Sequence, residues 1–105
     1  MHRAIRLLKK IPRGKVVTYK ELARVCNTSP RAIGAIMAHN KHPERFPCYK
    51  VISSSGALGG YSGPGGIREK QKLLAGDGIR IKNGKADKKI FYTFLRGNPA
   101  DARTQ

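Results

Sequence analysis

The sequence predicts a mainly α fold with small β elements, a winged-helix-like helix-turn-helix domain. Three observations carry that prediction. Two short helical segments, each opened by a capping residue, follow one another across a three-residue polar turn, Asn27-Thr28-Ser29. Near the C-terminal end, Asn83-Gly84 separates two short stretches in the manner of a tight hairpin. The chain also carries 22 Lys+Arg against 6 Asp+Glu, a formal net charge of +16. Self-repulsion on that scale opposes a compact state unless a polyanion offsets it.

The elements follow in order. Residues 3–10 place Ile5, Leu7 and Leu8 among basic side chains, as a short amphipathic helix does. Ile11-Pro12-Arg13-Gly14 ends that helix in a turn, and Val16-Val17 is extended. Thr18-Tyr19-Lys20-Glu21 reads as a capping box, with Thr18 as N-cap and Glu21 reaching back. The helix runs to Cys26 and buries Leu22, Ala23 and Val25 or Cys26. Ser29 caps the next helix, Pro30 occupies its first position, and the helix continues to His39. Gly34 inside it costs about 1 kcal/mol of propensity against Ala, which suggests close packing on another backbone.

Residues 41–47 form an irregular loop, and Tyr49 to Ser53 is extended. Ser54-Ser55-Gly56 turns the chain toward 57–61, and 62–66 is a flexible connection. Residues 67–75 are helical, stopped by Gly76-Asp77-Gly78. Phe91, Tyr92, Phe94 and Leu95 pack on the body. Residues 1–96 make one domain, and 97–105 a flexible tail.

Composition narrows the function classes. At 105 residues there is room for one core and not for two. The +16 charge points to nucleic acid, where neutralised phosphates release condensed counterions. The chain has no Trp and no long apolar run, which ranks a membrane surface or span well below that. The start is a helix and not a signal peptide. Two cysteines, Cys26 and Cys48, form no disulfide framework and suit a reducing compartment. His39 and His42 have no thiol partners at zinc spacing, so no metal is expected, and no cofactor either. The Gly-rich stretch 56–66 lacks the Gly-Lys-Ser/Thr ending of a phosphate-binding loop.

Several segments occur together in a specific order: Ile11-Pro12-Arg13-Gly14-Lys15-Val16-Val17-Thr18-Tyr19, Arg31-Ala32-Ile33-Gly34, Asn40, Pro47-Cys48-Tyr49-Lys50-Val51-Ile52, Gly56 to Gly63, and Lys70 to Gly78. Over residues 2–80 the chain resembles the DNA-binding, cysteine-bearing domain of the O6-alkylguanine-DNA alkyltransferases. The resemblance implies that Cys48 accepts the alkyl group and that Arg31 fills the space left by a flipped base. It implies that Tyr19 assists flipping and hydrogen-bonds the guanine, and that Asn40 braces the active-site loop. Tyr61 and Ser62, with Val51 and Tyr19, would line the guanine pocket. Thr18, Ala32 and Gly34 would join Arg31 and Tyr19 at the DNA. The implied partner is double-stranded DNA containing O6-alkylguanine, held through the minor groove by a monomer, with a partner or fused repair enzyme left open. The implied location is cytoplasmic and nucleoid-associated, or nuclear in a eukaryote.

Three departures from the family pattern bear on the chemistry. Tyr49 stands where the family has a histidine linked to the cysteine through water, and Lys50 where it has arginine. Asp77 stands where it has the glutamate that orients the histidine. Cys48, Tyr49, Asp77 and Asn40 are therefore the catalytic candidates. The attacker must be a thiolate, and an ordinary thiol has a pKa of about 8.5. Tyr49 is a poor base at neutral pH but donates a hydrogen bond, and His39 or His42 could partly replace the missing ring. The thioether product resists water, so the expected function is a single-turnover transfer of the alkyl group to Cys48. The alternative is a non-catalytic sensor similar to the alkyltransferase-like proteins, which binds the flipped lesion and recruits other repair factors. A helix-turn-helix transcription factor is a third reading, and it predicts sequence-dependent binding to undamaged DNA.

Overall fold

The computed structural model describes residues 2–59 and 65–94. Tyr61, Ser62, Leu95 and the 97–105 tail lie outside the described residues. The helix-turn-helix with small β elements is present as the sequence predicts. Helix α1 spans Arg3–Leu7, and the His2 ring accepts a 2.9 Å hydrogen bond from the Ala4 N–H at its start. The expected helix over 3–10 is split, because Leu8–Lys10 is a single 3-10 turn. Pro12 explains this: the residue before a proline is pushed out of the helical region, and Ile11 is extended at φ −77°, ψ 119°.

Strand β1, Val17–Thr18, leads directly into helix α2, Tyr19–Cys26. The Thr18 hydroxyl accepts from Glu21 N at 3.0 Å, the expected N-cap. The Glu21 carboxylate, however, is engaged elsewhere: Arg24 donates to it at 3.0 and 2.7 Å and the Phe94 N–H at 2.9 Å. It thereby ties the C-terminal segment to α2. Asn27 ends α2 in the left-handed region at φ 55°. Helix α3, Pro30–Ala38, follows at once, its first turn capped by Ser29, whose hydroxyl accepts from Ala32 N at 3.1 Å.

The extended segment expected from Tyr49 is shorter than predicted. Cys48–Lys50 forms a 3-10 turn, and only Val51–Ile52 is strand, β2. It pairs in parallel with β1, Val17 opposite Val51 and Thr18 opposite Ile52. Helix α4 spans Gly66–Gly76, with Asp77 as its C-cap. Strands β3 (Ile81–Lys82) and β4 (Lys85–Ala86) form the expected hairpin. Asn83 and Gly84 both take positive φ, 54° and 74°, as a two-residue turn of this hand requires. The hairpin is fastened to the 53–57 turn by the Ala86 N–H, which donates to Gly56 O at 2.9 Å. Only glycine fits at 56: its φ is +95°, and a Cβ there would lie 2.7 Å from Ala86 O.

The apolar side chains gather in two clusters. The larger joins α1, α2 and α3 through residues such as Ile5, Leu22, Ile33 and Met37, and includes Cys48, Val51 and Phe94. The smaller holds Val16, Ile52, Leu58, Leu74, Ile79 and Ala86 beneath α4 and the hairpin. Each fully buried Leu, Ile or Val contributes about 1.5–3 kcal/mol relative to exposure. The β1–β2 pair divides the clusters, since Val17 and Val51 face one and Ile52 the other. Among the described residues no helix is long and apolar enough to cross a membrane.

Candidate functional site

The cysteine turn sits on the seam between the two clusters. Cys48 is 9% exposed and belongs to the helical cluster, while the next side chain, Tyr49, packs half-buried against the smaller one. The loop before the turn is fixed from α3. Asn40, just past the helix end, donates from Nδ2 to Phe46 O at 2.8 Å and accepts from His42 N at 3.1 Å. The Cys48 N–H in turn donates to Phe46 O at 2.8 Å. One carbonyl therefore links Asn40 to the cysteine backbone, the geometry a brace requires.

Two further polar groups approach the thiol. Tyr19, the first residue of α2, is half-buried, and burial first and the neighbouring Cys48 second push its phenol pKa up. It therefore stays protonated and able to donate. Lys70, on α4, has no exposed surface at all. Its Nζ donates to Val51 O at 2.7 Å and lies 6.0 Å from the centre of the Tyr19 ring. Burial lowers its pKa from 10.5 to about 8, and Cys48 partly offsets that by favouring the charged amine. Cys48, Tyr19 and Lys70 thus converge from three different elements. Gly59 closes on the same place, since a Cβ at 59 would meet the Tyr19 ring at 3.5 Å.

Lys70 did not emerge from sequence reasoning. The signal was available: in the helical stretch it lies three residues before Leu73 and four before Leu74, on the face this apolar pair points inward. A lysine on such a face is either snorkelling or functional, and this one is buried.

The Asp77 carboxylate meets Lys50 and the 11–14 turn. Its Oδ2 accepts from Lys50 Nζ at 2.8 Å and from Gly14 N at 2.9 Å, and its Oδ1 lies 4.0 Å from Arg13 Nη1. Tyr49, Lys50 and Asp77 all open onto one groove of about 870 Å³ between the 11–14 turn and α4. The histidines stand apart from the thiol. His2, His39 and His42 line a separate groove of about 600 Å³ on the outer side of α3, to which Cys48 does not contribute. Among the described residues no cluster of three or more His, Cys, Asp or Glu could hold a metal ion.

The recognition-helix candidates separate as well. Arg31 is exposed in the first turn of α3, with Ala32 and Gly34 partly exposed beside it. The close packing expected at Gly34 is absent, because a Cβ built there meets nothing within 4 Å. Thr18 is 7% exposed and its hydroxyl is used as the α2 cap. Val51 is fully buried in the cluster that also holds Cys48, and its carbonyl accepts from Lys70.

The chain has known relatives. Residues 1–79 match the family model of the 6-O-methylguanine DNA methyltransferase, DNA binding domain. The chain belongs to that family. A methylated-DNA–protein-cysteine methyltransferase of Pyrobaculum aerophilum is 52% identical over 68 residues, covering 65% of this chain and 45% of that protein. The crystal structure of the O6-methylguanine-DNA methyltransferase of Pyrococcus kodakaraensis strain KOD1 is 42% identical, with a TM-score of 0.66, over 73% of this chain and 44% of the other. The chain thus spans less than half the length of these methyltransferases. It also resembles S. pombe ATL, solved in complex with DNA, at 27% identity and a TM-score of 0.66, over 88% of this chain and 93% of that one. This chain is thus similar both to part of longer methyltransferases and to nearly the whole of the S. pombe ATL chain.

Proposed function

We propose that the protein repairs DNA by drawing O6-alkylguanine out of the duplex and transferring the alkyl group irreversibly to Cys48. The observation that carries this reading is the convergence of a buried thiol, a protonated phenol and a buried amine of lowered pKa at the end of the helix-turn-helix. The Lys70 amine, with a pKa of about 8, is partly neutral near neutral pH and so accepts the proton of the Cys48 thiol. The thiolate sulfur attacks the alkyl carbon. The carbon–O6 bond breaks and its electron pair stays on the guanine, which takes a proton from the Tyr19 hydroxyl or the Lys70 ammonium. The product is a thioether on Cys48 and a restored guanine. No water, metal or cofactor enters the balance.

The target base is stacked, and extracting it costs a few kcal/mol. Arg31, exposed at the start of α3, is the side chain to fill the vacated space, with Ala32 and Gly34 allowing the helix to lie close in the minor groove. Tyr61 and Ser62 complete the guanine pocket in this reading, and Asn40 holds the loop that carries Cys48. The protein acts as a monomer on double-stranded DNA, in the cytoplasm at the nucleoid or in a nucleus.

The likeness to S. pombe ATL, nearly end to end, favours a second reading, a lesion sensor that binds without transfer. Mass spectrometry separates them. After incubation with duplex containing O6-methylguanine, the Cys48 peptide should gain one methyl group, and Cys48→Ala should abolish transfer while retaining duplex binding. An unchanged mass with tight, lesion-selective binding establishes the sensor. Transfer surviving in Cys48→Ala and lost in Cys26→Ala would sink the assignment of the acceptor.

A further inference from the structure

We infer that Lys50 and Asp77 form a clamp that positions the Cys48 turn, and that the Asp77 carboxylate is thereby withheld from the side chain at 49. The inference rests on reading Cys48 as the alkyl acceptor. Lys50 is only 3% exposed, and a buried ammonium persists only where it is paired and hydrogen-bonded. Its Nζ meets both needs, donating to Asp77 Oδ2 at 2.8 Å and to Pro12 O at 2.8 Å. The same carboxylate oxygen accepts from Gly14 N at 2.9 Å. Arg13 closes the assembly by donating from Nη2 to Gly76 O at 3.0 Å, with its other nitrogen 4.0 Å from Asp77 Oδ1. Three separate stretches are joined by one ion pair: the 11–14 turn, the Cys48–Lys50 turn and the end of α4.

Lys50 is the last residue of the turn that Cys48 begins, so holding one end of that 3-10 turn sets the other. Asn40 holds the opposite side through Phe46 O. The thiol is thus fixed from both flanks. Tyr49, between them, packs toward the smaller cluster, away from the cluster that contains Cys48. A ring at 49 that needed a carboxylate to orient it would find Oδ2 of Asp77 already bonded to Lys50 and Gly14, and Oδ1 facing the Arg13 guanidinium at 4.0 Å. Lys50 and Asp77 are accordingly positioning residues, and the proton chemistry falls to Lys70 and Tyr19.

The test measures two reactions of Cys48 across pH 6 to 10: single-turnover methyl transfer from saturating O6-methylguanine duplex, and alkylation by iodoacetamide without DNA. The variants are Tyr49→His, Asp77→Asn, Lys50→Met, Lys50→Arg and the double variant Lys50→Met/Asp77→Asn, which leaves no unpaired buried charge. Loosening a positioned turn slows transfer but exposes the thiol. Asp77→Asn and Lys50→Met should therefore each slow transfer about tenfold or more while iodoacetamide reacts several-fold faster, with duplex affinity and the pH midpoint retained. The double variant should be no slower than the slower single one, and Lys50→Arg should keep most of the wild-type rate. Tyr49→His should leave the pH midpoint unmoved. The clamp is overturned if Tyr49→His shifts the midpoint to lower pH, if both reactions slow together in Asp77→Asn, or if the single losses multiply in the double variant. Should wild-type Cys48 gain no methyl mass, the acceptor reading fails separately. The iodoacetamide arm then decides the clamp alone, upheld by non-additive gains in the two single variants and overturned by additive ones.

Discussion

The Lys70 amine and the Val51 carbonyl are joined by a 2.7 Å hydrogen bond, so the strand that leaves the cysteine turn carries a buried amine directly beside it. The bond orients Nζ, which lies 6.0 Å from the centre of the Tyr19 ring and feels the charge of Cys48. A surface lysine would be charged throughout the physiological range; this one exchanges its proton within reach of it.

Lys70 gives the first prediction. Its pKa of about 8 means that the neutral amine rises from about a tenth at pH 7 to half at pH 8. The transfer rate should climb through pH 8 and level above it. Lys70→Arg keeps a cation that does not give up its proton, and should be slower by about 100-fold or more at pH 8, with no rise across that window. An arginine variant with the wild-type profile excludes Lys70 as the proton acceptor.

The same shift bears on stability. The folded pKa is lowered from 10.5 to about 8, so between those values the unfolded chain holds the proton more tightly than the folded one. The penalty of burying the charge is fully present below pH 8 and is lifted as the pH rises toward 10.5. Urea titrations of wild type and Lys70→Met at pH 7 and pH 10 should therefore show their difference in stability moving in favour of wild type at the higher pH. No movement, or movement the other way, contradicts the burial argument.

Gly34 yields a prediction with two signs. The open space beside it and its place inside α3 mean that Gly34→Ala should stabilise the free protein by about 0.5–1 kcal/mol. If this face of α3 lies against the minor groove, the added methyl should also weaken duplex binding. Thermal unfolding and fluorescence anisotropy measure the two effects, and a stabilised variant with unchanged affinity would remove Gly34 from the interface.

For Arg31, the expectation turns on the duplex. Arg31→Ala should impair transfer from a paired lesion much more than from free O6-methylguanine base, because the inserted side chain matters only where a stack must be filled. Equal losses on both substrates would assign Arg31 to the pocket or to the fold.

The net charge of +16 predicts a steep salt response. Each phosphate contact adds a slope of roughly 0.9 to a log–log plot of affinity against salt, with little dependence on sequence around the lesion. A flat titration would mean that the charge serves something other than the duplex.

The fold was legible wherever local chemistry decides it. Thr18 and Ser29 cap their helices, and Asn83-Gly84 turns its hairpin, because these residues satisfy nearby backbone groups or tolerate positive φ irrespective of the rest of the chain. What the pattern missed is non-local. The stretch from Tyr49 to Ser53 read as extended with no partner assigned, and its Val51 and Ile52 pair with Val17 and Thr18 across the intervening helices, a parallel register that no alternation of side chains encodes. Glu21 looked like half of a capping box, yet its carboxylate is committed to Arg24 and to the Phe94 N–H. In the site, Cys48 was found from its motif, whereas Lys70 was hidden because a lysine in a helix reads as solvent-facing until its burial is known.

Three of the bonds around the cysteine turn share one property: Lys70 to Val51, Lys50 to Pro12 and Gly14 to Asp77 join residues 19, 38 and 63 positions apart. Contacts of such range form only after the chain has paid the entropy of closing the loops between them, whereas the capped helices α2 and α3 organise locally. The helical hairpin that would touch DNA is therefore an early-folding unit, and the surroundings of the thiol are assembled late. During refolding, Cys48 should remain open to a thiol reagent after the helical signal has recovered, and its protection marks the last cooperative step.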